Sequence, residues 1–134
     1  MPLEVHIVTP EREVWTGAAE MLIARGVDGE VGILSSHAPL LIQLAIGPLR
    51  ILQDGAEEVT AVVDGGFLHV GTHDGLTRAD VLATHAELAT EIDQEAARQA
   101  VAELEGKIPN LSDEEITAAK AELQKALTRI KLVG

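Results

Sequence analysis

The segment Gly29–Leu41, GEVGILSSHAPLL, joins a β-like run to a tight passage with neither helical nor strand periodicity. The run Glu30–Leu34 is typical of a short strand, and glycines stand on both sides of its acidic residue, Glu30. The small residues of Ser35–Pro39 indicate a sharp change of direction in which His37 can hydrogen-bond to the backbone. The segment therefore predicts a solvated acidic turn or a contact surface.

Short β-like runs surround this segment up to about residue 83. Leu3, Val5 and Ile7 alternate with polar residues, as in a half-buried strand. Asp-Gly pairs, which supply the positive φ of tight hairpin turns, separate most of the runs, and the pair Gly65-Gly66 indicates a bulge or a close backbone approach. The other predicted strands are Glu20–Ala24, Pro48–Leu52, Glu57–Val63, Phe67–Val70 and Asp80–Ala83. Strands at this spacing predict an antiparallel sandwich or barrel.

From Glu87 onward the pattern is helical. One helix is predicted at about Ile92–Glu105, and Gly106–Asn110 ends it. Ser112 and Glu115 form the capping box that starts a second helix, whose predicted apolar stripe is Ile116, Ala119, Leu123, Leu127 and Ile130. The predicted fold class is thus α+β: an N-terminal antiparallel β-sandwich (residues 1–86) followed by a C-terminal antiparallel two-helix hairpin (residues 87–134). Because the seams are rich in alanine, the hairpin is only marginally stable by itself and can serve as a mobile arm.

Composition excludes several classes of protein. Apolar residues make up 46% of the chain, which argues against disorder, and there is no cysteine. A net charge of −12 argues against binding to nucleic acid. No apolar run approaches the roughly 20 residues of a membrane span, and no signal peptide is recognisable. We therefore expect a soluble, cytoplasmic protein with no direct membrane insertion.

The charge is unevenly distributed. Residues 116–134 contain four basic side chains and one acidic one, a net charge of +3, so the −12 of the whole chain leaves −15 on residues 1–115. A basic end on an acidic body suggests an acidic partner. It also fits the preference of a helix C-terminus for cations, and both interpretations stay open.

No motif for catalysis or for metal binding is recognisable. The five histidines lack the helical spacing of zinc proteases, and the chain has no nucleophile elbow, phosphate-binding loop or dinucleotide fingerprint. We therefore predict that the chain is not an enzyme and needs neither metal nor cofactor.

Four blocks resemble the epsilon subunit of F-type ATP synthases in the right order: VTPEREVWTG (Val8–Gly17), GEVGILSSHAPLL (Gly29–Leu41), DGGFLHV (Asp64–Val70) and DVLATHAE (Asp80–Glu87). The resemblance implies a non-catalytic subunit of the rotary central stalk, which couples the gamma subunit to the c ring during ATP synthesis. It implies a peripheral location at the cytoplasmic face of a bacterial plasma membrane. Gly29, Glu30 and Val31 would face the c ring, and His37 would lie near the contact with gamma.

The resemblance also implies a regulatory arm. In this family the hairpin can fold against the sandwich, or extend along gamma and restrain ATP hydrolysis. The extended arm's basic face would meet acidic segments of the alpha and beta subunits. In this chain the basic face comprises Lys120, Lys125, Arg129 and Lys131.

Some bacterial members bind ATP on the folded hairpin through the motif Ile/Leu-Asp-x-x-Arg-Ala, an upstream Glu and two basic residues. The matching positions here are Glu87, Ile92, Asp93, Lys125 and Arg129. The motif arginine is replaced by Ala96, and the nearby Arg98 lies about 200° further around the helix. The loss of a cation for phosphate weakens the interpretation, so ATP stays open as a regulatory ligand. The alternative function is a free-standing sensor of a small ligand or nucleotide on the same scaffold.

Overall fold

A computed structural model describes residues 3–133 of the chain. Residues 1, 2 and 134, which belong to the predicted domains, lie outside the described residues. The described residues form eight strands: β1 (Leu3–Val8), β2 (Glu13–Ala19), β3 (Met21–Gly26), β4 (Gly29–Leu34), β5 (Leu40–Leu52), β6 (Val59–His73), β7 (Leu76–Ala83) and β8 (Ala86–Leu88). Two helices follow, α1 (Gln94–Lys107) and α2 (Asp113–Val133). The predicted β-sandwich with a C-terminal helical hairpin is confirmed.

The strands pair in the order β2-β1-β7-β6-β5-β3-β4, and β8 pairs with β6. The two longest strands, β5 and β6, take part in both layers of the sandwich. The second half of β6 pairs with β7, whereas its first half pairs with β8. All pairings are antiparallel except that of β1 with β7, which is parallel. Parallel strands cannot be joined by a tight turn. The parallel pair of β1 and β7 is possible because these two strands are far apart in the sequence.

β6 bends where Asp64 is followed by two glycines. Gly65 and Gly66 both have positive φ, 71° and 114°, and a Cβ added at Gly66 would lie 2.2 Å from the carbonyl oxygen of Leu82. The predicted close backbone approach is therefore confirmed. The predicted separation of Glu57–Val63 from Phe67–Val70 is wrong, because glycine lets the chain bend without leaving its ladder with β5.

The core of the sandwich consists of aliphatic side chains from both layers. Leu3, Leu22, Ile51 and Leu68 are among the side chains with no exposed surface. Two strands were not predicted from the sequence. They are β2, whose central Trp15 and Gly17 do not alternate clearly, and the three-residue β8, which overlaps the start of the region predicted to be helical.

The hairpin begins just after the last strand. β8 continues to Leu88, a short 3₁₀ turn spans Ala89–Glu91, and Asp93 caps α1 by accepting a hydrogen bond of 3.1 Å from the backbone N–H of Ala96. The division of the chain at residue 86 stays a prediction.

The predicted capping box of α2 is present. The hydroxyl of Ser112 accepts from the backbone N–H of Glu115 at 3.4 Å, and the Glu115 carboxylate accepts from the Ser112 N–H and hydroxyl. The predicted apolar stripe is wrong at Leu127, which is 44% exposed, whereas the neighbouring Ala126 is buried. The stripe is displaced because α2 packs against the sandwich as well as against α1.

Candidate interaction surfaces

The hairpin of β3 and β4 presents an acidic tip, defined here as Val27–Glu30. Gly26 pairs with Gly29 across the turn, and Gly29 has φ +131°, a conformation that favours glycine. Gly29 and Glu30 are exposed and Val31 is half-buried. A shallow groove lies between the tip and the start of β5, and the exposed side chains of Val27 and Leu41 are part of its lining. The tip combines acidic and apolar groups, as a contact surface would.

His37 lies in the turn after β4, where its backbone N–H and its imidazole ring both contact neighbouring backbone carbonyls. Its backbone N–H donates to the carbonyl oxygen of Leu34 at 3.2 Å, and Nδ1 lies 2.7 Å from the carbonyl oxygen of Ala38. The predicted contact between His37 and the backbone is thus present. Ser36 has φ +66°, and its N–H donates to the buried hydroxyl of Thr77 at 2.7 Å. The bond from Ser36 to Thr77 anchors the turn to β7.

The outer face of the sandwich carries an apolar patch, defined here as Val8, Pro10, Phe67 and Leu82. Phe67 and Leu82 are register partners across β6 and β7 and are 50% and 52% exposed. Val8 pairs with Leu82 from the other side, and Pro10 lines the same shallow groove. A contiguous patch of large apolar side chains that are half exposed is typical of an interaction site.

The four cations of the predicted basic face lie on two sides of α2. Lys125 and Arg129 lie against the sandwich and pair with its carboxylates. Lys120 and Lys131 are exposed, and at 100° per residue they lie roughly opposite Lys125 and Arg129. In this folded arrangement, therefore, half of the predicted set faces inward.

Two ion pairs connect α2 to the sandwich. Lys125 Nζ lies 2.9 Å from Asp64 Oδ2, and Arg129 Nε donates to Glu87 Oε1. Lys125 also contacts Glu122 on its own helix at 2.9 Å. Burial lowers the pKa of Lys125, but the hydrogen bonds that Lys125 donates to Asp64 and Glu122 outweigh this effect, so the pKa is raised above its ordinary value. Lys125 therefore stays charged despite its burial.

A third ion pair holds the start of the hairpin. The Arg12 guanidinium, in the turn between β1 and β2, makes two contacts of 3.0 Å with the Glu91 carboxylate. Glu91 also accepts from the Leu88 N–H at 2.9 Å. The hydrogen bond from Arg12, followed by that from Leu88, lowers the pKa of Glu91. This pair is exposed, so it fixes the linker more through geometry than through strength.

The predicted ATP residues are brought together only in part. Glu87 and Arg129 are in contact, and Lys125 lies one helical turn from Arg129 but is bound to Asp64. Asp93 serves as the cap of α1, and Ile92 is half-buried in the linker. Neither makes a hydrogen bond to the two cations within the described residues.

Sequence reasoning missed two parts of these surfaces. Phe67 and Leu82 could have been found. Each is adjacent in sequence to residues of the buried face, and successive residues of a strand point to opposite faces. Asp64 could not, since 61 residues separate it from Lys125 and nothing local predicts the contact.

Across residues 3–133 no helix has the length and hydropathy needed to cross a membrane. In the same part of the chain, no three His, Cys, Asp or Glu side chains are placed to hold a metal ion.

Solved structures show the same fold at low identity. A chain of the Euglena gracilis mitochondrial ATP synthase, in a structure of its OSCP/F1/c-ring assembly, superimposes with a TM-score of 0.85 at 21% identity, covering 99% of this chain and 82% of that one. A chain of the Tetrahymena thermophila central stalk and c-ring structure gives a TM-score of 0.58 at 17% identity, covering 100% and 98%.

Sequence relatives are closer. The family model described as ATP synthase, Delta/Epsilon chain, beta-sandwich domain matches residues 2–89. ATP synthase epsilon chains from Chromohalobacter salexigens and Thermobifida fusca are 40% and 44% identical, covering 97% and 96% of this chain and 90% and 92% of the relatives. The Frankia casuarinae epsilon chain is 48% identical over 88 residues, which cover 66% of this chain but 99% of that relative. With its sandwich, its helical hairpin and these relatives, the chain belongs to the family of ATP synthase epsilon chains.

Proposed function

We propose that this non-catalytic subunit connects the gamma subunit to the c ring in the central stalk of a rotary ATP synthase. The observation that carries the proposal is the outer apolar patch, where Phe67 and Leu82 present half of their surface to solvent on a rigid sheet. Such a patch fits a partner that is permanently bound, because burial of its apolar area stabilises the complex. The structurally similar chains come from ATP synthase assemblies that contain a c-ring, one of them described as a central stalk and c-ring, which agrees with this assignment.

Two neighbouring surfaces would divide the contacts. The outer apolar patch is assigned to gamma, together with the turn that contains His37. The acidic tip, together with the adjoining Val31, is assigned to the c ring, since its exposed loop offers the carboxylates of Asp28 and Glu30 amid glycine and apolar side chains. The assembly would be peripheral, at the cytoplasmic face of a bacterial membrane.

The hairpin is assigned the regulatory role. Extended, its cations Lys120, Lys125, Arg129 and Lys131 would meet acidic segments of the alpha and beta subunits and restrain ATP hydrolysis. The folded arrangement supports this in one respect: Lys120 and Lys131 are already exposed and available to a partner.

ATP is proposed as a second, regulatory ligand on one observation, the meeting of Glu87 and Arg129 between the sandwich and α2. Carboxylates already neutralise Lys125, and Ala96 supplies no cation for a phosphate. We therefore expect binding no tighter than about the millimolar range, that is, about −4 kcal/mol.

The docking proposal is tested by co-purification with the gamma subunit. The affinity of the double variant Phe67→Glu/Leu82→Glu for gamma should fall by at least about a hundredfold, because central apolar residues dominate such interfaces. The matched control is Leu127→Glu, which places an acid at an exposed apolar position on α2. Retention of gamma by the double variant would exclude the patch as the docking site. Failure of the wild-type chain to co-purify with gamma would favour the free-standing sensor.

A further inference from the structure

The folded arm depends on contacts between two carboxylates of the sandwich and two cations of α2. All four side chains are largely buried: Lys125 and Arg129 are 11% and 22% exposed, and Asp64 and Glu87 are 25% and 20% exposed. Pairs screened from water in this way contribute more than those on an open surface.

The carboxylates stand on rigid positions of the sheet. Asp64 immediately precedes the glycine bend of β6, and its backbone N–H donates to the carbonyl oxygen of His85 at 2.9 Å. Glu87 lies in β8, in register with Val62 of β6. The cations, by contrast, extend from long side chains on a helix. The sheet therefore offers a preorganised pair of acceptors, and only the arm has to adjust.

Apolar packing contributes little to the same interface. The buried residues of the described part of α2 are Ala119, Ala126 and Thr128, all of them small. The larger apolar side chains of the helix, such as Leu123 and Ile130, are only half-buried. The apolar area removed from water at this interface is therefore limited, and the ion pairs are its specific directional contacts.

We propose that Asp64 and Glu87 form an ionic latch, which holds the arm folded on the sandwich without any nucleotide. The latch engages Lys125 and Arg129, the two inward cations of the basic face. An acidic partner segment would open the arm by exchanging its own carboxylates for those of the sandwich. The inference rests on the proposed function for the arm's role, but the latch itself is a property of the isolated chain.

The test uses the full chain with two spin labels. The chain has no cysteine, so each label can be attached to a single introduced cysteine. The two substitutions are Gln124→Cys on α2 and Ala56→Cys on the sandwich, both at exposed positions. Double electron–electron resonance then measures the ratio of open to folded arm. Removing the latch with Asp64→Asn/Glu87→Gln should raise this ratio about tenfold or more, as expected for hydrogen bonds between charged groups. Raising the salt concentration should raise the ratio in the wild-type chain.

Glu122→Gln is the matched control. It removes the other carboxylate on Lys125 but leaves both cross-domain pairs in place, so the arm should stay folded. The charge exchange Asp64→Lys/Lys125→Asp should restore the closed arm relative to Asp64→Lys alone. The fluorescence of Trp15, which packs against the sandwich core, verifies that each variant is folded.

Equal distance distributions in the double variant and the wild type would overturn the latch. So would opening by Glu122→Gln to the same extent, or failure of the charge exchange to close the arm in a folded chain. None of these outcomes depends on gamma, so loss of gamma docking in the co-purification experiment and failure of the latch are separate results.

Discussion

The sandwich and the helical hairpin are stabilised by different means. The sandwich buries Leu, Ile and Val side chains completely, for example Leu22, Ile51 and Leu68. In the described hairpin, α1 contributes only Ala97 to the buried residues, and α2 adds two alanines and a threonine. The sandwich therefore has a core of its own, whereas the hairpin depends on ion pairs and on the surface beneath it. A domain held in this way can be released without unfolding its neighbour.

The relatives show the same asymmetry. The Frankia relative aligns over 88 residues that make up 99% of its length, and the family model covers a segment of similar extent, residues 2–89. That relative has room for a sandwich but not for a sandwich and a hairpin. The comparison predicts that substitutions in the sandwich change global stability, and that substitutions in the hairpin change regulation.

The largest effect is expected for Gly66→Ala in the sandwich. The new methyl group would lie 2.2 Å from the Leu82 carbonyl oxygen and would occupy a backbone with φ +114°. We expect a loss of about 3 kcal/mol in the free energy of unfolding, measured with urea. Gly55→Ala is the control, since φ is +69° but no atom lies within 4 Å of the added methyl. It should cost only about 1 kcal/mol. Equal losses would show that the close approach to β7 does not matter.

A smaller effect, on activity alone, is expected for Lys120→Glu/Lys131→Glu in the hairpin. These exposed cations lie away from the latch, so the folded arm is undisturbed while contacts of the extended arm are lost. ATP hydrolysis by the assembled enzyme should rise roughly threefold, because each exposed ion pair contributes about 0.2–1 kcal/mol.

The matched control for this charge reversal is Arg98→Glu/Lys107→Glu, which makes the same change in charge at exposed positions of α1. An equal rise in the control would mean that net charge, and not the basic face of α2, sets the inhibition. A change in the urea midpoint of the sandwich would contradict the independence of the two regions.

The smallest effect is expected for Glu91→Gln, where the linker meets the sandwich. Arg12 and the Leu88 N–H lower the pKa of Glu91 below its ordinary value of 4.5. This carboxylate therefore contributes stability that is fully present above pH 4.5 and is lost as the pH falls through the lowered pKa. Between about pH 5 and pH 3, the urea midpoint of the wild type should fall slightly more than that of Glu91→Gln. Glu11→Gln, in the turn that contains Arg12, is the control and should behave as the wild type. Parallel curves for all three would show that the linker is not anchored by this pair.

Local patterns predicted most of the elements. The alternation of Leu3, Val5 and Ile7 and the capping box of Ser112 and Glu115 correspond to β1 and to the start of α2. Both signals depend on residues close in sequence. The predicted separation of Glu57–Val63 from Phe67–Val70 was wrong, because the sequence shows that glycine bends the chain but not that β5 continues to pair across the bend.

The candidate surfaces were predictable to different degrees. The acidic tip could be placed because its glycines and its charge lie within one hairpin. The two-sided arrangement of Lys120, Lys125, Arg129 and Lys131 follows from helical geometry, but which side faces the sandwich depends on how α2 docks. In the structure Lys125 and Arg129 meet Asp64 and Glu87 of the sandwich. The resemblance had grouped Glu87 with these cations, but nothing in the sequence connected Asp64 to them.

The sequence by itself determined the kind of protein: a β-sandwich with a helical hairpin, a basic last helix and an epsilon-type segment at Gly29–Leu41. These features rest on periodicity, turn residues and composition, which act over short distances along the chain. Only the tertiary structure decided that β5 and β6 serve both layers, that Phe67 and Leu82 form an exposed patch, and that Lys125 and Arg129 are held by the sandwich. Each of these joins residues from different strands or domains, and such contacts arise from the packing of whole elements rather than from any local propensity.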